Sequence, residues 1–201
     1  MKDCMLLIFV KKPETGKVKT RLAATVGDEK ALQIYLQLLE RTQEITQSLP
    51  CAKTIYYTPE IVEKDIFDIK HYQKALQSEG DLGQRMQNAF AAAFSQGYKK
   101  VCIIGSDCFE LDTHILEEAF AQLDKEDVVI GPARDGGYYL LGMRKMHVPF
   151  FQNKKWSTSS VLSDTLNDLK KTHLSFSLLP ELTDVDEEED LIILQQSSEK
   201  S

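Results

Sequence analysis

Met5-Leu-Leu-Ile-Phe-Val10, followed at once by Lys11-Lys-Pro-Glu-Thr-Gly-Lys-Val-Lys-Thr-Arg21, is the stretch whose reading decides the fold. Six consecutive apolar residues are too few for an ordinary helix, and an unbroken run suits a strand covered on both faces, as in a parallel sheet. The basic segment then forms a strand-to-helix connection. The helix opens at Asp28 with Leu32, Tyr35, Leu36, Leu39 and Thr42 on one face, and ends before Pro50. The first unit is therefore β then α.

The alternation continues along the chain. Lys53 to Thr58 reads as a second strand, and Pro59 to Ser78 carries no clear period. Met86, Ala89, Phe90, Ala93 and Phe94 stripe a helix that stops at Gly97. Val101 to Gly105 is again a buried strand. Leu116, Ala119, Phe120 and Leu123 mark a helix capped by Asp112 or Thr113. Asp127 to Gly131 and Tyr138 to Met143 add two strands. Leu162, Leu166 and Leu169 stripe a helix capped by Ser157 or Thr158, Leu174 to Leu179 gives one more strand, and a last helix starts near Glu187. Strands alternating with helices at short spacing predict one Rossmann-like α/β domain over residues 1–201, a mostly parallel sheet with helices on both faces.

Composition narrows the function. The chain has 201 residues and a net charge of −7, long enough to bury about 70% of its unfolded surface without disulfide or metal staples. The acidity is local: Glu181 to Asp190 contains seven acids and no Lys or Arg. An acidic chain lacks the basic face that nucleic acid or an anionic membrane demands, so neither is expected as a partner. The run from Met5 to Val10 is far shorter than the ~18 residues of a membrane span, and no small-residue cleavage site follows it. The four cysteines form no C-x-x-C pair, which points to reduced thiols and a cytoplasmic location.

In such sheets ligands bind beyond the carboxyl ends of the strands. The connection from Lys11 to Arg21 holds five cations and one acid. Gly16 allows a tight turn there, and Lys17, Lys19 and Arg21 can neutralise phosphate oxygens. It is neither a Walker A loop, since Val18 follows Lys17, nor a dinucleotide fingerprint. Gly105-Ser106-Asp107 puts a carboxylate at the tip of a buried strand, without the flanking glycines of a nucleophile elbow. In Thr183-Asp184-Val185-Asp186, alternate carboxylates of an extended segment point the same way, and Asp186 suits a hard cation such as Mg²⁺ held with phosphate oxygens. Glu187 to Asp190 read as an acid-rich helix start. Gly80 to Arg85 and Pro132 to Tyr138 combine glycine with charge at the same edge, and Trp156 reads as a partly buried anchor.

Lys11 to Leu22, Gly80 to Met86, Gly105 to Asp107, Asp135-Gly-Gly-Tyr138, Trp156-Ser-Thr158 and Asp184-Val-Asp186 through Leu191, taken in order, resemble the bacterial selenodomain-associated transferases, which are similar to GT-A type nucleotide-diphospho-sugar transferases. The chain departs from the family pattern at Phe109 and at Glu187-Glu188. The resemblance implies a nucleotide over the first strand and Mg²⁺ or Mn²⁺ on its phosphates, held by Asp107 and Asp186. It implies Lys11, Gly16, Lys17, Lys19, Arg21, Asp81, Leu82, Gly83 and Arg85 around the nucleotide. Gly136, Gly137, Tyr138 and Trp156 fall on the side of a small-molecule acceptor, and Asp107 and Asp135 are the implied catalytic carboxylates. Glycosyl transfer from an NDP-sugar is the favoured activity. Guanylyltransferase-like transfer of NMP from an NTP, and non-catalytic nucleotide binding, are the alternatives.

Overall fold

The computed structural model describes residues 3–194. Strand β1, Cys4–Lys11, is the central apolar run, and it feeds helices α1, Thr20–Val26, and α2, Asp28–Gln47. Then follow β2 (Ala52–Thr58), β3 (Gln73–Leu76), α3 (Leu82–Ser95), β4 (Lys100–Ile104), α4 (Thr113–Gln122), β5 (Val128–Pro132), β6 (Tyr138–Met143), α5 (Val161–Thr172) and β7 (Phe176–Leu178). One seven-stranded sheet has the order β3-β2-β1-β4-β6-β5-β7. Only β6 runs against its neighbours, so the mostly parallel α/β sheet is as expected.

The period of two along β1 divides the core. Leu6, Ile8 and Val10 face the side covered by α2 and α4, packing with Tyr35, Leu39, Leu116 and Phe120. Met5 and Leu7 face the side covered by α3 and α5, with Met86, Phe90, Phe151 and Leu169. Both faces are closed to water, which is why β1 reads as apolar throughout.

Several boundaries differ from the sequence reading. The α2 face centres on Ala31, Ile34, Tyr35, Leu38, Leu39, Thr42, Ile45 and Thr46, leaving Leu36 exposed. Helix α5 is preceded by Ser160, which makes no side-chain cap, so neither Ser157 nor Thr158 is the cap. Within the unassigned 59–78 stretch lies β3, a short edge strand, Gln-Lys-Ala-Leu. Strand β7 is only three residues long. The segment after Glu187 begins as a 3-10 turn, Glu188–Leu191, with helical backbone through 194; the rest of the expected helix lies outside the described residues.

Strands β1 and β4 are neighbours, yet from β1 the chain progresses outward through β2 and β3 before returning to β4 on the other side. Their carboxyl ends therefore flank a topological switch point, the place where such sheets open a crevice.

Candidate active site

A cleft of about 580 Å³ lies over that switch point. Its walls come from the loop after β1 (Lys19, Thr20, Arg21), the tip of β4 (Gly105 to Cys108), the turn before β6 (Asp135, Gly137, Tyr138), the segment Trp156–Ser159, and Asp184 with Asp186.

At its centre the Lys19 ammonium sits 2.5 Å from Asp107 Oδ1 and 3.0 Å from Asp186 Oδ1. Arg21 approaches the other oxygen of Asp186 at 2.5 Å. The Lys19 side chain is only 4% exposed, and its backbone is left-handed, with φ 48° and ψ 46°. A non-glycine residue in that region costs on the order of 1 kcal/mol or more, and the two ion pairs of its side chain hold it there. Burial opposes the Lys19 charge, but the Asp107 and Asp186 carboxylates outweigh it and hold its pKa above the ordinary lysine value.

The second acidic strip is positioned by local pairing. Val185 N–H donates to Asp107 O at 2.9 Å, and Cys108 and Asp184 form an isolated antiparallel bridge. Val185 is fully buried against Leu22, Ile34 and Leu38, so Asp184 and Asp186, on either side of it, both reach the cleft. Burial, together with the charges of Asp107, Asp186 and Asp135, pushes the Asp184 carboxyl up to about 7. Asp190 accepts the backbone N–H groups of Asp186 and Glu187 at 2.9 and 2.8 Å. It therefore holds the end of the strip, a role beyond the acid-rich helix start that its neighbours suggest.

The other expected site residues divide by position. Lys11, Leu82, Arg85, Gly137, Tyr138 and Trp156 line the cleft with Lys19, Arg21, Asp107, Asp135 and Asp186. Gly16 and Lys17 do not line it: Lys17 is 66% exposed and pairs with Glu14. Asp81 caps α3, accepting from Gln84 N–H at 2.9 Å. Gly83 lies under Trp156, where a Cβ would come within 2.5 Å of the indole nitrogen. Gly136 has φ 87°, and a Cβ there would meet Ser159 O at 2.2 Å, so this glycine lets the Asp135 turn dock on the 157–159 segment. Asp135 fixes the same turn by accepting Gly137 N–H at 2.8 Å. The Tyr138 hydroxyl is buried without a hydrogen-bond partner.

One residue escaped the sequence reading as a site element. Tyr35, from α2, clamps the end of β1: its hydroxyl accepts Lys11 N–H at 2.8 Å and donates to Lys11 O at 3.0 Å. Asp184, which the sequence reading set beside Asp186 without a role of its own, brings the most perturbed carboxyl in the cleft.

The two carboxylates that share Lys19 converge on one cation-sized position. Mg²⁺ or Mn²⁺ is commonly held by one or two carboxylates with substrate phosphates completing the shell, so Asp107 and Asp186 fit such an ion. Among the described residues no group of three or more Asp, Glu, His or Cys is arranged as a self-sufficient metal cage.

Residues 41–158 match the model of a family described as an uncharacterized protein conserved in bacteria, DUF2064. The chain belongs to that family. This DUF2064 protein is 33% identical to a candidate nucleotide-diphospho-sugar transferase from Desulfovibrio desulfuricans G20, covering 100% of its own length and 90% of that chain, with a TM-score of 0.90. That likeness bears out the resemblance to GT-A type nucleotide-diphospho-sugar transferases. More distant structures share the fold: an Rv0371c homologue from Mycobacterium sp. strain JC1 (12% identity, 98% of each chain, TM-score 0.62), and a CMP:2-keto-3-deoxy-manno-octonic acid synthetase solved with CTP (8% identity, 98% and 99% of the chains, TM-score 0.55). No protein with a curated description matches the DUF2064 chain in sequence. No helix among its described residues is long and apolar enough to cross a membrane.

Proposed function

We propose that the protein is a metal-dependent transferase that uses an NDP-sugar as donor and a small molecule as acceptor. The observation that carries this is the convergence of Asp107, Asp186, Lys19 and Arg21 at the β1–β4 switch point, two carboxylates and two cations placed to hold a metal and a diphosphate together. Lys11 and Arg85 line the same cleft and add to the positive charge available to the phosphates. The 33% identical relative described as a candidate nucleotide-diphospho-sugar transferase supports the same donor class.

In this reading Lys19 and Arg21 bind the diphosphate and stabilise the charge that develops as it leaves. A divalent cation on Asp107 and Asp186 would supply Lewis-acid stabilisation of the same oxygens. Asp135, oriented by Gly137 N–H, takes the proton of an acceptor hydroxyl whose oxygen attacks C1 of the sugar as the C1–O bond to the diphosphate breaks. Tyr138 and Trp156 line the acceptor side.

The test is a donor panel with Mn²⁺, followed by ³¹P NMR and mass spectrometry of products. Release of a nucleoside diphosphate with a glycosylated acceptor is expected. Pyrophosphate release from an NTP would replace glycosyl transfer with nucleotidylyl transfer, and no binding of either ligand class would refute the nucleotide reading.

A further inference from the structure

Helix α2 reaches the site region at two points. Tyr35 closes on Lys11, and farther along the same helix Arg41 closes on the loop that follows Asp107. The Arg41 Nη2 donates to Leu111 O at 3.2 Å and its Nε to Phe109 O at 3.4 Å. The guanidinium carbon lies 5.8 Å from the centre of the Phe109 ring, within the range of a cation–π contact. Nη1 pairs with Glu44 of α2 at 3.1 Å. One planar fork thus holds two loop carbonyls and covers a ring, while a neighbour on its own helix steadies it.

That loop carries the acidic strip. Glu110 accepts Thr183 N–H at 2.8 Å, Cys108 bridges to Asp184, and Asp107 O accepts Val185 N–H at 2.9 Å. Phe109 packs against the cluster of Leu22, Ile34, Leu38 and Val185. The ring beneath the guanidinium therefore bears on the cluster whose burial of Val185 turns Asp184 and Asp186 toward the cleft. Arg41 itself does not line the cleft.

We propose that Arg41 is a positioning residue: through Phe109 and the 108–111 turn it sets the spacing of Asp107 and Asp186 that a divalent cation requires. The inference rests on the reading that these two carboxylates hold the metal, and it adds a residue outside the cleft to that reading. Partners that orient metal ligands typically govern about tenfold or more in affinity. The sign of the effect separates positioning from charge. Removing a cation from the neighbourhood of a metal site would by itself tighten Mn²⁺ binding, so a loss of affinity in a folded Arg41→Leu comes from displaced ligands.

The experiment compares wild type, Arg41→Leu and Glu44→Gln by EPR titration with Mn²⁺ and, without metal, by amide hydrogen exchange. Arg41→Leu should bind Mn²⁺ about tenfold or more weakly. Its Thr183 and Val185 N–H groups should exchange faster by about tenfold or more beyond any change at the β1 amides. Glu44→Gln, which removes only the pair to an exposed partner, should stay within about twofold of wild type in both measurements. Arg41→Lys should stay near Arg41→Leu, since an ammonium cannot grip two carbonyls and lie flat on a ring at once. Mn²⁺ binding by Arg41→Leu that is unchanged or tighter, exchange at Thr183 and Val185 that moves only with the β1 amides, or full recovery by Arg41→Lys would overturn the inference and leave the metal reading in place. A folded wild type that takes up no Mn²⁺ would remove both.

Discussion

Lys19→Met tests the centre of the site because it removes one charge and little else. Methionine has nearly the length of the lysine stem, so the apolar packing of a side chain only 4% exposed is kept. What is lost is the cation between Asp107 and Asp186, whose side chains are 45% and 30% exposed. Breaking a fully buried pair costs about 3–5 kcal/mol, and breaking an exposed one about 0–1. With a buried cation and half-open carboxylates, a loss of about 2 kcal/mol is expected at pH 8 in the presence of a chelator. For a chain of this size that lowers Tm by about 4–8 °C.

The pH dependence identifies the cause. The Lys19 pKa is raised above its ordinary value, so its charge is complete throughout pH 5–8 and contributes no slope there. The Asp184 carboxyl does titrate there: Lys19 opposes its upward shift, so without the ammonium it keeps its proton more readily, and the stability difference from wild type should shrink as pH falls toward 5. Urea unfolding at pH 5 and pH 8 measures both values. Because the vacated position is lined by Asp107 and Asp186, millimolar Mn²⁺ should raise the Tm of the variant more than that of wild type. A loss below about 0.5 kcal/mol, the size of an ordinary surface substitution, or a loss equal at both pH values, would show that Lys19 is not the counter-ion of the cluster.

Three further substitutions probe the surroundings. The Asp184 carboxyl has its pKa raised to about 7, so between its unfolded value near 4 and pH 7 the folded state keeps a proton that the unfolded chain has lost, and stability falls as pH rises through that window. Asp184→Asn should flatten this slope and, without metal, add about 1–2 kcal/mol at pH 8 by denaturant titration, a figure discounted for the partial exposure of the group. Gly83→Ala should cost about 1–3 kcal/mol and change Trp156 fluorescence, since the new methyl meets both the indole and Phe151 O. Asp190→Ala should impair turnover and metal affinity by freeing the Asp186 and Glu187 N–H groups, whereas Glu188→Gln and Glu189→Gln, both solvent-exposed, should stay within about 0.5 kcal/mol of wild type and keep full turnover.

Much of this arrangement was legible in the sequence because it depends on local periods. The unbroken apolar run of β1 announced a strand buried on both faces, and Gly105-Ser-Asp107 announced a carboxylate at the next strand tip. The alternation through Val185 announced two carboxylates on one side. The features that were not legible depend on contacts between distant segments. Nothing in Lys17-Val-Lys19 tells which lysine turns inward; that follows from the left-handed backbone at Lys19 and from partners 88 and 167 residues away. Tyr35 reads as one more apolar position on α2, yet its hydroxyl closes on the backbone of Lys11. Strand β3 has no alternation to find because it is an edge strand of only four residues, Gln-Lys-Ala-Leu, too short to show a period.

The acidic decapeptide shows how one composition signal resolves into separate physical tasks. Glu181 to Asp190 accounts for a charge equal to that of the whole chain, and a cluster of that density repels itself unless its members are paired or solvated. Asp186 is paired, through Lys19 and Arg21. Asp184, half-buried beside the cleft and within the field of Asp107, Asp186 and Asp135, relieves the repulsion by holding a proton up to about pH 7. Asp190 spends its charge on two backbone N–H groups, and Glu187 to Glu189 face water. A divalent cation arriving with a diphosphate would relieve what remains and release Lys19 and Arg21 toward the phosphates. Metal and diphosphate should therefore each bind more tightly in the presence of the other, by equal factors as linkage requires. Calorimetric titration of Mn²⁺ with and without a nucleoside diphosphate measures that factor directly; a value of one would mean that the carboxylates and the cations serve two independent sites rather than one.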